Sequence, residues 1–335
     1  MSSLPELVQA LLEPKAYPSP PQSVELVQTQ MSFIFLADDH VYKVKKPVDL
    51  GYLDYTTLNK RHLYCQKEIE LNRRLCPQAY LGVVPITRQK DGISIDGHGK
   101  PVEYAVKMRR LPEEMMMNVM LVNGAVSSEM LAEVAEKLAE FHGKAETNPA
   151  ISAFGNLAAI AQNAEENFRQ TEKYIGDTIS REKYHRIKTY TEDFLKRNAS
   201  LFHRRIKTGK IRDCHGDLHA AHICFWNGIC IYDCIEFNDR FRYGDVASEV
   251  AFLAMDLDHY GRADLSHHFV GAYIAKSEDE ELKTLLNFYK CYRAYVRGKV
   301  ESFKLDDPYI SKEEKTEVLA IAGKYFELAE SSVSY

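Results

Sequence analysis

The reading turns on one stretch: Asp213-Cys214-His215-Gly216-Asp217-Leu218-His219-Ala220-Ala221-His222-Ile223-Cys224-Phe225-Trp226-Asn227-Gly228-Ile229-Cys230-Ile231-Tyr232-Asp233-Cys234-Ile235-Glu236. A polar loop carries Asp217. A short apolar run, Ile223 to Trp226, meets Asn-Gly and returns as Ile229 to Tyr232. Asn-Gly is a strong hairpin signal because both central positions of a tight turn need positive φ. With a two-residue loop, Trp226 faces Ile229, Cys224 faces Ile231 and His222 faces Asp233. Opposed residues on one face lie roughly 5 Å apart at Cβ. His222 and Asp233 therefore meet at the open end, next to the loop with Asp217. The plain alternative is a surface hairpin with charged ends. Against it, His215, His219, His222, Asp217 and Asp233 crowd one end while the middle is apolar, which suits a divalent cation and a general base.

Composition sets the frame. The chain has 335 residues, 45% hydrophobic and 27% charged, ordinary for a globular protein with a substantial core. A net charge of −5 gives no general attraction to nucleic acid or to anionic membrane. No apolar run approaches the length of a bilayer span. The start lacks a secretion signal, so a cytoplasmic location is the expectation. The seven Cys form no Cys-x-x-Cys pair and read as reduced thiols. Cys214, His219, His222, Cys224 and Cys234 form a conceivable zinc set, but their spacing fits no standard structural site.

Upstream, residues 1–22 combine a short helix candidate, Leu4 to Leu12, with Pro14, Pro18, Pro20 and Pro21, and read as a lead-in. Strands are expected at Val24 to Val27, Met31 to Leu36 and His40 to Lys45, with a turn at Asp38-Asp39. Lys43 and Lys45 share one face of the third strand. A solvated edge strand would also carry lysines. Thr57 to Leu75 reads as a helix that includes Glu68. Strands follow at Val83 to Thr87, Gly92 to Ile95 and Val102 to Met108. Met115-Met116-Met117 reads as core packing.

Downstream the pattern is helical: Ser128 to His142, Asn156 to Tyr174, Ser180 to Arg205, Val246 to Met255, Ala263 to Lys276, Asp279 to Phe303 and Ser311 to Ser331. Asp245 stands where a carboxylate caps a helix. Asp256-Leu257-Asp258 is expected to end that helix as a solvated acidic loop. Arg293 and Arg297, four apart, can reach an anion or pair with carboxylates.

His215-Gly216-Asp217 with Asp233 downstream resembles the catalytic loop and metal-binding Asp of the aminoglycoside phosphotransferase family. Tyr42-Lys43-Val44-Lys45-Lys46-Pro47-Val48, Leu53-Asp54-Tyr55, Asp233-Cys234-Ile235-Glu236-Phe237-Asn238 and Tyr292-Arg293-Ala294-Tyr295-Val296-Arg297-Gly298-Lys299 resemble a bacterial subgroup of uncharacterised members. The resemblance covers roughly residues 24–300. It implies an α+β, protein-kinase-like two-lobed fold. The N-lobe, residues 23–110, would be a small antiparallel sheet with one helix; the C-lobe, residues 111–335, would be larger and mostly helical.

The resemblance also implies ATP-dependent transfer of a γ-phosphoryl group to a hydroxyl of a small molecule. Asp217 would act as base, with Asp233 as ligand to Mg²⁺ and Glu236 assisting metal or substrate. Lys43, or alternatively Lys45, would clamp the phosphates and pair with Glu68. Backbone at Met108, Arg109 and Arg110 would meet adenine. The family has an Asp at the position of Asp245 that stabilises the catalytic loop. Two departures stand out. Gln28-Thr29-Gln30-Met31-Ser32 occupies the place of a Gly-rich loop, and no G-x-x-x-x-G-K-[ST] occurs in these residues. His222 stands five after Asp217, where the family has a metal-binding Asn; imidazole is a softer ligand and suits Mn²⁺ or Zn²⁺ better than Mg²⁺. A protein Ser/Thr kinase, or a nucleotide-binding protein without transfer activity, are the alternatives.

Overall fold

The computed structural model of the protein describes residues 4–89, 92–307 and 310–333. In chain order the elements are helix α1 (Glu6–Leu11), strands β1 (Val24–Gln28), β2 (Ser32–Ala37) and β3 (His40–Lys45), helix α2 (Leu58–Asn72), and strands β4 (Tyr80–Gln89), β5 (Gly92–Ile95) and β6 (Pro101–Arg109). Helices α3 (Met117–Val122), α4 (Ser128–Lys144), α5 (Pro149–Ser152), α6 (Leu157–Thr171), α7 (Arg181–Arg197) and α8 (Ala199–Lys207) follow. After strands β7 (Ile211–Asp213), β8 (Ile223–Cys224) and β9 (Cys230–Ile231) come helix α9 (Asp239–Arg242) and strand β10 (Tyr243–Asp245). The chain closes with α10 (Val246–His259), α11 (Ala263–Ser277), α12 (Leu282–Ser302) and α13 (Lys312–Ser331). Two compact units result, Met1–Val119 with Ala221–Asp239, and Met120–Ala220 with Arg240–Tyr335. The architecture is α+β, as the sequence led us to expect. No helix among the described residues is long and apolar enough to cross a membrane.

In the first unit, six antiparallel strands lie in the order β1-β2-β3-β6-β4-β5. Alternation along the strands divides the sheet's two faces. Tyr42 and Val44 of β3 and Ala105 of β6 join Val8, Leu11 and Phe35 in one core. Val41, Val106 and Met108 face the other way, with Cys65 and Ile69 of α2 and with Cys224 and Cys230. Lys43 and Lys45 follow Val41 on that second face. The turn at Asp38-Asp39 has the expected two residues, with Ala37 paired to His40 and Asp38 at φ 48°. Thr57 caps α2 by accepting the Lys60 N–H.

In the second unit, α10 is buried along most of its length and packs on α11 and α12. Helix α11 packs on α4, and α12 on α13. Gly298 permits the last approach: a Cβ there would lie 3.0 Å from the Phe326 ring.

Four expectations are corrected. The β8–β9 connection has five residues, and Cys224 pairs with Cys230 and Ile223 with Ile231, one residue off a two-residue hairpin. Asn227 (φ 50°) and Gly228 (φ 97°) do adopt positive φ. The wider loop arises because β8 is tied elsewhere: Met116 bridges to Cys224, and the Phe225 N–H donates to Met115 O. Ser180 to Arg205 is two helices, broken at Asn198, whose side-chain amide donates to Phe194 O. Helix α10 continues to His259, so Asp256 and Asp258 belong to its last turns; Asp256 is buried and Asp258 pairs with Lys290 at 2.6 Å. Cys76 and Cys230 form a disulfide, with Cα atoms 4.6 Å apart, so these two are not free thiols. Their separation of 154 residues hides the pairing from any spacing rule.

Candidate functional site

The first unit carries a compact ionic cluster on the α2 face of β3. Lys43 Nζ lies 2.9 Å from Glu68 Oε1 and 2.8 Å from Asp233 Oδ1. Lys45 Nζ lies 2.7 Å from Glu68 Oε2, contacts Glu236 Oε1 and reaches the Tyr55 hydroxyl at 3.4 Å. The Tyr55 O–H donates to the same Glu236 oxygen at 2.7 Å. One carboxylate, Glu68, thus joins both lysines. Lys45 and Glu68 are fully buried, while Lys43 is 17% and Asp233 41% exposed. Burial alone would lower the Lys43 pKa, but Asp233, Glu68 and Glu236 outweigh it and hold the amine well above its usual range. Lys45 is raised in the same way, against burial, by Glu236 and Glu68. Burial would raise Glu68, yet the two lysines draw it below the ordinary value.

Asp233 has φ 60°, a left-handed conformation uncommon outside glycine. Its surroundings over-determine it. The Asp233 N–H donates to the Tyr80 hydroxyl at 3.2 Å, and the Cys234 N–H to Asn72 Oδ1 at 2.8 Å. Arg74 donates to Cys234 Sγ. His222 Nε2 lies 3.6 Å from Asp233 Oδ2, and the Tyr232 N–H donates to His222 O at 3.0 Å. The two side chains therefore meet despite the shifted register, which sets His222 opposite Tyr232. Two lysines face three carboxylates, so the cluster is one negative charge in excess. Asp233 Oδ2 and His222 Nε2, a hard oxygen and an imidazole nitrogen within reach of one cation, fit a divalent ion.

The second unit carries the loop with Asp217. Glu249, from the first turn of α10, accepts the N–H groups of His215 (2.8 Å) and Gly216 (2.7 Å). His142 Nε2 lies 2.7 Å from Glu249, and its Nδ1 2.8 Å from the Tyr273 hydroxyl. Burial would raise Glu249, but His142 and the His215 amide overcome it and bring the carboxyl down to about 2. Arg293 donates to Gly216 O at 3.2 Å and to Ser248 Oγ at 3.0 Å. Gly216 has φ 91°, and the Ala220 N–H donates to Asp256 Oδ2 at 2.8 Å. Strands β7 and β10 anchor the approach, with a buried Asp213–Arg242 pair. The Asp217 N–H donates to His215 Nδ1 at 3.3 Å, and its carboxylate, 34% exposed, lies 3.6 Å from His219 Nε2. The loop is gripped through its backbone while one carboxylate stays at the surface.

The model of a phosphotransferase enzyme family matches residues 59–285. This chain belongs to that family. In this family member, an uncharacterised protein of Mycobacterium tuberculosis (strain ATCC 25618 / H37Rv) is matched at 36% identity over 279 residues, 83% of this chain. An uncharacterised protein of Mycobacterium bovis is matched to the same extent. The chain spans about half, 54%, of the length of these relatives. A choline/ethanolamine kinase family protein from Mesorhizobium loti has a similar fold, with TM-score 0.53 at 11% identity over 92% of each chain. The fold is the protein-kinase-like one that the sequence resemblance implied.

Several expected residues of the family member thus fall together in the first unit: Lys43, Lys45, Glu68, Asp233, Glu236 and His222. Asp217 lies in the second unit. Glu236 spends one oxygen on Lys45 and Tyr55. At the expected adenine contact, Met108 is paired within the sheet, the Arg109 N–H donates to Ala79 O and the Arg110 N–H to Asp39 O. In the turn within Gln28 to Ser32, the N–H groups of Met31 and Ser32 donate to Thr29 Oγ1. Asp245 takes the buried Arg205 and caps α10 through the Ala247 N–H; the direct hold on the loop comes from Glu249 instead. Glu249 and Tyr80 have no role in the sequence reading, and Tyr55 stands only within the stretch Leu53-Asp54-Tyr55 of the resemblance. Glu249 did carry a signal, an acid inside the apolar run Val246 to Leu257.

Proposed function

We propose that this chain is an ATP-dependent phosphotransferase that moves the γ-phosphoryl group to a hydroxyl of a small molecule. The observation that carries the reading is Lys43, held between Glu68 and Asp233. Phosphoryl transfer needs positioned charge more than covalent chemistry. Lys43 binds the nucleotide phosphates. Its ammonium is kept protonated and aimed by Glu68. Asp233 and His222 would hold a divalent ion, which would neutralise charge on the phosphates. Asp217 orients the acceptor hydroxyl and takes its proton. The loop's backbone bonds to Glu249 and Arg293 keep that carboxylate in place.

A second reading has one observation behind it. His222, where the family has Asn, lies beside Asp233, and nucleotide binding without transfer would follow if it spoils the metal site. One experiment separates the two: nucleotide binding and turnover with Mg²⁺ and with Mn²⁺, on the wild type, Asp217→Ala and His222→Asn. The first reading expects metal-dependent turnover that Asp217→Ala abolishes. Binding without turnover in the wild type, with activity appearing in His222→Asn, replaces it with the second. Autophosphorylation in place of small-molecule transfer would shift the acceptor class to protein. No nucleotide binding at all removes both readings.

A further inference from the structure

The cluster holds two lysines where phosphate binding needs one, and their surroundings differ. An ammonium has three donors. Those of Lys45 meet Glu68, Glu236 and Tyr55, all in the protein interior. Lys45 is 1% exposed. Lys43 is bound to two carboxylates and keeps partial exposure. Lys45 is therefore spent inside the protein, and what it touches is informative. Glu68 gives Oε2 to Lys45 and Oε1 to Lys43, so Lys45 fixes the rotation of the carboxylate that aims Lys43. Glu236 lies three residues after Asp233, so Lys45 with Tyr55 also pins the far end of the segment whose near end holds Asp233 at φ 60°.

We infer that Lys45 is a positioning residue. Resting on the phosphotransferase reading, it sets Lys43 through Glu68 and Asp233 through Glu236, and it contacts no phosphate. A buried ion removed on one side only leaves an uncompensated charge, so Lys45→Met alone is expected to lose stability as well as function. The decisive variant is the double one, Lys45→Met with Glu236→Gln. It restores the net charge of the cluster and leaves the Tyr55 hydroxyl an amide oxygen to donate to.

The experiment compares wild type, Lys43→Met, Lys45→Met and the double variant by thermal unfolding, ATP turnover with Mn²⁺, and amide hydrogen exchange over residues 232–238. Most of the lost thermal midpoint should return in the double variant. Its kcat should stay at least tenfold down, with KM for ATP within about threefold of wild type, and exchange at 232–238 should remain faster. Lys43→Met should instead raise KM for ATP at least tenfold. Two results overturn the inference. In one, the double variant recovers kcat along with stability, which makes Lys45 merely structural. In the other, Lys45→Met raises KM for ATP at least tenfold further when added to Lys43→Met, which makes Lys45 a phosphate contact in its own right. If the wild type shows no turnover, the phosphotransferase reading falls, and the exchange measurement decides the bracing by itself: unchanged protection at 232–238 in the double variant refutes it.

Discussion

The two units hold their key carboxylates in opposite ways. Around Asp217, the loop is held largely by other residues. Glu249, Arg293 and Asp256 grip the loop by its backbone, and His142 with Tyr273 grips Glu249. Around Asp233, the functional groups hold one another. Asp233 pairs with Lys43, Lys43 with Glu68, Glu68 with Lys45 and Lys45 with Glu236. A scaffold that is separate from its reacting group lets that group change without structural consequence. A mutual network makes each member both tool and support, so a substitution among its buried members moves activity and stability together.

Asp217→Asn should reduce turnover by about 10³-fold, the usual scale for loss of a general base. Its thermal midpoint should stay within about 2 °C of wild type, because Glu249, Arg293 and Asp256 hold the loop by its backbone and the Asn amide keeps the size of the carboxylate and can still meet His219. A matching loss of stability would show that Asp217 is part of its own support. Glu249→Ala tests the other side of the same loop. It strands two buried N–H groups and the His142 ring, and chemical denaturation should register a loss of about 3–5 kcal/mol. The pH dependence follows from the same residue. Its carboxyl titrates at about 2 in the folded chain against an ordinary 4.5. Its contribution, on the order of 3 kcal/mol, is therefore full above pH 4.5 and disappears as pH falls from there through about 2. Glu249→Gln should flatten that part of an acid-denaturation curve; an unchanged curve would remove Glu249 from the list of supports.

A smaller effect sharpens the description of the first unit. Asp233 stores backbone strain of roughly 1 kcal/mol, and its partly exposed pair with Lys43 repays no more than about that. Asp233→Gly relieves the strain and loses the pair, whereas Asp233→Ala loses the pair and keeps the strain. Both should be inactive. The glycine variant should be the more stable by roughly 1 kcal/mol in urea unfolding, a reversal of the usual order of these two residues in regular structure. The usual order, Ala above Gly, would mean that the segment relaxes once its carboxylate is gone.

What could be read in advance follows from what is local. Lys43 and Lys45 were placed on one face because strand alternation is a property of adjacent residues. Glu68 stands on a helix whose ends nearly match the sequence expectation. The turn residues Asn227 and Gly228 took their positive φ, but the hairpin's length was settled elsewhere, by Met115 and Met116 binding β8. Glu249 looked like one more helical acid because its partners, His215 and Gly216, lie more than thirty residues upstream. The Cys76–Cys230 bridge was invisible for the same reason. Asp256 and Asp258 looked like a solvated end because only tertiary packing supplies the Ala220 N–H and Lys290.

The smallest expected effect concerns His222, the one ligand candidate in the first unit that lies outside the chain of lysine and carboxylate pairs. Asp233 Oδ1 is engaged by Lys43, so a cation at this carboxylate would use Oδ2, the oxygen facing His222 Nε2. Imidazole competes better for Mn²⁺ than for Mg²⁺, whereas an amide oxygen suits the harder ion. The hairpin's ladder bond at this residue is a backbone one, the Tyr232 N–H donating to the His222 oxygen, and asparagine keeps it. His222→Asn should therefore leave the thermal midpoint almost unchanged and lower the ratio of Mn²⁺- to Mg²⁺-supported turnover several-fold. That result would make the ring a metal ligand whose loss the hairpin tolerates. An unchanged ratio would make the ring a neighbour of Asp233 rather than a ligand, and the contrast between the two units would then extend to every member of the cluster.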